Sequence, residues 1–194
     1  LTIIIRSYTS TEVKKSKIML DQNKSRIFEK PKIEYTLRTI NSLIFSCKEA
    51  LKNFKELKIN LIVTDDNSNE KNLSLIENLL HNSKLNFEII NINKSEFEGQ
   101  IQNKDENGED ISEAMMSNMR NILKSIYLTK SKVDDLIYFV EDDYLHTKEA
   151  VTEMLFTYEK ISSQIQKEIF LCPADYPYLY SNIESSKIFF GHKR

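Results

Sequence analysis

Apolar positions along the chain fall into short continuous runs that alternate with segments stepping by three and four. Residues 1–5 form an apolar, largely β-branched run, as expected for a strand covered on both faces, and the run stops at Arg6-Ser7-Tyr8. Residues 9–30 are polar and lysine-containing without a sustained period, which predicts a long excursion after the first strand. Pro31 then suits the first position of a helix, and Ile33, Leu37, Ile40, Leu43, Cys47, Leu51 and Phe54 draw one apolar stripe along it. A second buried strand is predicted over 59–63, running directly into Thr64-Asp65-Asp66-Asn67-Ser68, where Ser68 is positioned to cap the next helix through Leu73, Ile76 and Leu79.

The same alternation continues to the end. A third strand is predicted over 87–92, a polar loop over 94–111, and a helix carrying Met115, Met119, Ile122 and Ile126. The fourth strand, 136–140, ends in Glu141-Asp142-Asp143-Tyr144, and a helix from about Thr147 turns Val151, Leu155, Tyr158, Ile161 and Ile165 inward. Residues 169–172 are expected to form a fifth strand that leads into Pro173-Ala174-Asp175. Strand and helix in turn imply an α/β fold with a mostly parallel central sheet and helices on both faces.

In such a sheet the ligand crevice lies beyond the carboxyl ends of the strands, and the acids of this chain fall there. Asp65 and Asp66 close the second strand, Glu141 to Asp143 close the fourth, and Asp175 follows the fifth. Like charges gathered at one rim need a positive partner, and a divalent cation that takes hard oxygen ligands, magnesium, manganese or calcium, is the simplest. An aspartate just past a strand is also an ordinary turn or cap residue, and that plainer reading applies to each doublet taken alone.

The strand ending in Asp65-Asp66-Asn67-Ser68, the helix after it and the later strand ending in Glu141-Asp142-Asp143 together resemble the nucleotide-binding half of GT-A glycosyltransferases, in particular the inverting glycosyltransferase family 2. The resemblance implies a Rossmann-like nucleotide-diphospho-sugar transferase fold across residues 1–194 as a single domain, one that could continue past Arg194. It further implies that Asp66 accepts from the ring N–H of the base, with Asp65 beside it, and that Arg6, Ser7 and Tyr8 touch the nucleotide. Asp143 becomes the main protein ligand to the metal, with Glu141 and Asp142 facing the metal or the ribose. Ser117-Asn118-Met119-Arg120-Asn121 is similar to the family's element near the diphosphate, where Arg120 would supply a fixed positive charge. Gly191-His192-Lys193-Arg194 is similar to the start of its acceptor loop. Asp175 is the expected catalytic base, taking the proton of the acceptor hydroxyl. The partners so implied are a nucleotide sugar, UDP-linked by preference, and a glycan or lipid-linked acceptor. The chain departs from the pattern in its 20-residue insertion after Tyr8 and in having Glu rather than Asp at position 141.

Composition narrows the alternatives. The 27 basic and 29 acidic residues nearly cancel to a formal charge of -2, which argues against a nucleic-acid partner. Cys47 and Cys172 lie far apart with no metal-type spacing and read as buried free thiols of a reducing compartment. No run approaches the roughly 18 to 20 apolar residues of a membrane span, and no signal-peptide pattern opens the chain, so a cytoplasmic location is expected. A sugar nucleotidyltransferase would want a glycine-rich basic loop where this chain has Tyr8-Thr9-Ser10. A response-regulator-like domain would want an acid pair where it has Arg6-Ser7. A non-catalytic module of the same fold, binding a nucleotide sugar or only a protein, is the alternative to the enzyme.

Overall fold

The computed structural model describes residues 1–9, 30–104, 106–132 and 135–173 of the chain. Four parallel strands, β1 (Thr2–Ser7), β2 (Asn60–Asp65), β3 (Asn86–Asn91) and β4 (Ile137–Glu141), form one sheet in the order β3-β2-β1-β4. Crossover connections carry α1 (Lys32–Asn53), α2 (Glu70–Ser83) and α3 (Glu113–Lys132), and α4 (Ala150–Ile165) follows β4. The predicted mixture of strands and helices is present. Among the described residues, however, the fifth strand expected over 169–172 does not form, and Phe170 there is fully exposed. Of the two thiols expected to be buried, Cys47 is, whereas Cys172, in that same unpaired segment, is exposed. Residues 94–111 are also less plain than expected, with a 3-10 turn over Lys94–Phe97 and an isolated antiparallel bridge between Lys104 and Asp110.

The two faces of the sheet are held in different ways. On one face, Ile3 and Ile5 of β1, Leu61 and Val63 of β2 and Val140 of β4 pack against Ile40, Leu43, Cys47 and Ala50 of α1, Ile76 and Leu80 of α2 and Val151 of α4. Full burial of each large aliphatic side chain contributes about 1.5–3 kcal/mol, so this face supplies most of the apolar stabilisation. The stripe of α1 explains why: its inward positions recur every three or four residues. Among the described residues, the opposite face has a small buried apolar cluster, Ile4, Ile62 and Leu128, with Ile90 beside it.

Helix α3 covers that second face with a polar surface. Its buried residues are Ser117, Arg120, Asn121, Ser125 and Leu128, whereas Ile122 and Ile126, the apolar positions from which the helix is recognised, are 38% and 41% exposed. The reason lies in the strand ends beneath it, which present polar groups that only polar side chains can satisfy. Ile137 and Phe139, on the same face of β4 as Ile4 is on β1, are likewise exposed. Among the described residues, no helix is long and apolar enough to cross a membrane.

Candidate functional site

Because all four strands run the same way, the residues just past β1, β2 and β4 share one rim. The register sets Ser7 opposite Asp65 and Arg6 opposite Glu141. At the end of β2 the chain turns sharply through Asn67, whose φ of 73° suits the short polar side chain of asparagine. Asp65 closes this turn: Oδ2 accepts from the Ser68 N–H at 2.9 Å and Oδ1 from the Ser68 hydroxyl at 2.6 Å. An oriented hydrogen-bond chain feeds it, from Asn72 Nδ2 to the Thr9 hydroxyl (3.0 Å), from that hydroxyl to Ser68 Oγ (2.7 Å), and on to Asp65. Burial pushes the Asp65 carboxyl above its usual range, against the hydrogen bonds from Ser68. With both oxygens engaged and 2% exposed, Asp65 is a turn residue that ties β2 to the end of β1 and to α2. Ser68 is consumed in the same turn, and α2 is capped instead by Asn69, which accepts from the Asn72 N–H.

Asp66, next along, is fully buried. Its Oδ2 accepts from Arg120 Nε at 2.6 Å, and the two side chains are 1% and 6% exposed. Arg120 also donates through Nη2 to Glu113 at 2.6 Å, and Glu113 pairs with Lys94 at 2.5 Å, so alternating charges run from the end of β2 to the turn after β3. Burial opposes the ionised form of Glu113, but Lys94 and Arg120 outweigh it and hold its carboxyl below the usual range. Arg120, the residue expected to supply a fixed positive charge near a diphosphate, is engaged here by Asp66 and Glu113. Asn121 Nδ2, one residue on, donates to the Ser7 carbonyl, which also accepts from the Asp66 N–H. Among the described residues, the buried atoms Asp66 Oδ1, Ser117 Oγ and Asn121 Oδ1 of this region have no hydrogen-bond partner.

At the end of β4 the three acids part company. Glu141 pairs with Arg6 Nη2 at 2.5 Å, and Arg6 Nη1 also donates to Asn118 Oδ1 of α3. Asp142 is buried and fully engaged: Oδ1 lies 2.6 Å from Lys32 Nζ, while Oδ2 accepts from the Thr36 hydroxyl at 3.1 Å and from the Tyr8 N–H at 3.3 Å. It fastens β4 to β1 and to the first turn of α1. Asp143 is the open member, its side chain 42% exposed and 3.7 Å from Lys32 Nζ. Two small hydroxyls of α1 fix the segment beyond it, Ser42 accepting from the His146 N–H and Ser46 from the Val151 N–H at the start of α4. His146 points away from the rim, with Nε2 2.9 Å from the Tyr138 hydroxyl, and its burial lowers its pKa.

Each of the described acids of the rim, Asp65, Asp66 and Glu141 to Asp143, therefore meets a group of the chain itself. Arg6 answers Glu141, Lys32 answers Asp142 and Asp143, Arg120 answers Asp66, and Ser68 answers Asp65. Sequence reasoning required a positive partner but missed Lys32, whose contact with residues 110 positions away leaves no local signal. Among the described residues, no group of three or more His, Cys, Asp or Glu side chains could hold a metal ion. Magnesium-type sites that share a substrate's phosphates need only one or two carboxylates, and the hard, half-open oxygen of Asp143 fits that donor set, whereas Glu141 and Asp142 are already bonded. Asp175 and residues 191–194 lie outside the described residues.

No protein-family model matches the chain, and no curated protein matches it in sequence. Among solved structures, the chain is similar to S. aureus TarS, at 15% identity and a TM-score of 0.44, over 82% of this chain and 32% of that one. It is also similar to an active-site mutant of LgtC, at 14% identity and a TM-score of 0.38, over 79% of this chain and 41% of that one. The chain thus spans about a third of the TarS chain and two fifths of the LgtC chain, and at these scores the likenesses carry no statement about activity.

Proposed function

We propose that the chain is the donor-binding part of a glycosyltransferase that uses a nucleotide-diphosphate sugar, UDP-linked by preference. The observation that supports this reading is that Asp66 and Asp143 follow, at one rim, the two strands either side of β1, strands that lie about 10 Å apart by ordinary strand spacing. Asp66 keeps one buried acceptor oxygen without a partner among the described residues, which suits the ring N–H of a base. Asp143 keeps an open carboxylate, which suits a divalent cation shared with a diphosphate. Such an ion, Mn2+ or Mg2+, would supply charge neutralisation on the leaving diphosphate. In the proposed reaction the acceptor hydroxyl oxygen bonds to the anomeric carbon as the bond from that carbon to the diphosphate breaks, with inversion. Asp175 is proposed to take the hydroxyl proton, and a glycan or lipid-linked acceptor is part of the same proposal.

Calorimetry with UDP, GDP and CDP, with and without Mn2+, tests this on the wild type and on Asp143→Ala. UDP should bind the wild type more tightly with Mn2+ present, and Asp143→Ala should lose the metal dependence while melting within a few degrees of the wild type, since its side chain is half exposed. Absence of binding by all three nucleotides would sink the reading. Release of free sugar from UDP-sugars then separates an enzyme from a binding module of the same fold.

A further inference from the structure

The feature that donor binding leaves unexplained is the ammonium group already seated between two of the rim acids. Lys32 Nζ is 2.6 Å from Asp142 Oδ1 and 3.7 Å from Asp143 Oδ2, and its side chain is 20% exposed. It is the first residue of α1, where the helix dipole disfavours a cation, and no side chain caps this helix start. Lys32 is therefore held where it is by the acids and not by the helix. Asp142 is also anchored by Thr36 and the Tyr8 N–H, so the acid stays in place whichever way the lysine points. Asp143 has no such anchors among the described residues, and of the pair it is the one a competitor can take.

We propose that Lys32 is the resident counter-cation of the β4 acids, a positioning residue that competes with a divalent ion for Asp143. The inference rests on reading Asp143 as a cation ligand in a donor site, and it adds what governs that ligand. In the free protein Lys32 neutralises the run and weakens the binding of a metal alone. A diphosphate arriving at the rim offers the ammonium a second anionic partner, and the lysine's flexible four-carbon stem lets it turn toward those oxygens and release Asp143. Metal and diphosphate then bind cooperatively, because each weakens the contact that opposes the other.

The test is a titration of MnCl2 alone, by calorimetry and by the electron paramagnetic resonance of free Mn2+, into the wild type and Lys32→Met. The variant should bind Mn2+ on the order of tenfold more tightly, within the usual range for coupled sites, and Asp143→Ala in the same background should abolish the gain. Mn2+ should also raise the melting midpoint of Lys32→Met by more than that of the wild type. Equal or weaker Mn2+ binding by Lys32→Met overturns the proposal. Should Lys32→Met fail to fold because it strands the buried Asp142, Lys32→Met/Asp142→Asn carries the same comparison against Asp142→Asn alone. A UDP titration on the same samples separates the two readings. Tightened Mn2+ binding without UDP binding removes the donor-site reading and keeps the counter-cation, whereas UDP binding with unchanged Mn2+ affinity does the reverse.

Discussion

Replacing Arg120 with methionine asks whether this arginine is a fixed partner of Asp66 or a mobile ligand for the crevice. The substitution keeps most of the side-chain volume but leaves Asp66, whose side chain is 1% exposed, with neither carboxylate oxygen paired among the described residues. At 2.6 Å and an effective dielectric of about 20, the lost Coulomb interaction is about 6 kcal/mol before desolvation is counted. Arginine itself no longer has to be desolvated in the variant, and broken buried pairs typically cost about 3–5 kcal/mol, so the expected loss lies in that range. The Glu113 contact adds less than about 1 kcal/mol, because that carboxylate is half exposed. For a chain of this size the midpoint should fall by about 6–20 °C. Urea unfolding of the wild type, Arg120→Met, Asp66→Asn and the double variant gives the coupling directly, and it should exceed about 1.5 kcal/mol. Asp66→Asn alone should cost less than Arg120→Met, since Arg120 then keeps Glu113 at 2.6 Å. A loss below about 1 kcal/mol for Arg120→Met, with no coupling, would refute the buried pair and return Arg120 to the crevice.

Two further outcomes follow from buried groups away from the rim. Burial pushes the Cys47 thiol up to about 12, so under native conditions iodoacetamide should modify the exposed Cys172 and spare Cys47, and mass spectrometry showing equal labelling would contradict the packing of α1. His146 has its pKa lowered by burial, so the folded state binds fewer protons than the unfolded chain just below the ordinary value of about 6.5. Stability should fall as pH drops through that value toward the folded pKa and then level off for this group, and urea midpoints from pH 7.5 to 5.5 should decline less steeply in His146→Gln. An identical slope in the variant would remove His146 as the cause.

The order of elements is legible in the sequence because burial imprints itself locally. The three- and four-residue step of Ile40, Leu43 and Cys47 marks the inner face of α1, and the apolar runs of β1 and β2 mark strands covered on both sides. Residues 169–172 carry a similar apolar run without pairing, because a strand is made by its partner and four apolar residues do not name one. The outward Ile122 and Ile126 show the converse, an apolar periodicity that marks a helix without marking its buried face. At the rim, the acids are legible as strand-end residues, but their states are not. Whether Asp65 closes a turn, Asp142 staples three elements or Asp143 stands open depends on Ser68, Lys32, Thr36 and Tyr8, which tertiary folding alone brings to them.

The unequal covering of the sheet has a bearing on access. Undocking α3 exposes little oily surface, chiefly Leu128 with Ile4 and Ile62 beneath it, while the α1 side would forfeit a whole aliphatic layer. Transient opening therefore favours the α3 side, where ionic and hydrogen-bonded contacts can exchange for water. That excursion is also the one that would lift Arg120 from Asp66 and, on the proposed donor reading, open a buried carboxylate to the base. Amide exchange along α3 faster than along α1, slowed when a nucleotide is added, is the dynamic signature of a doorway built from polar contacts.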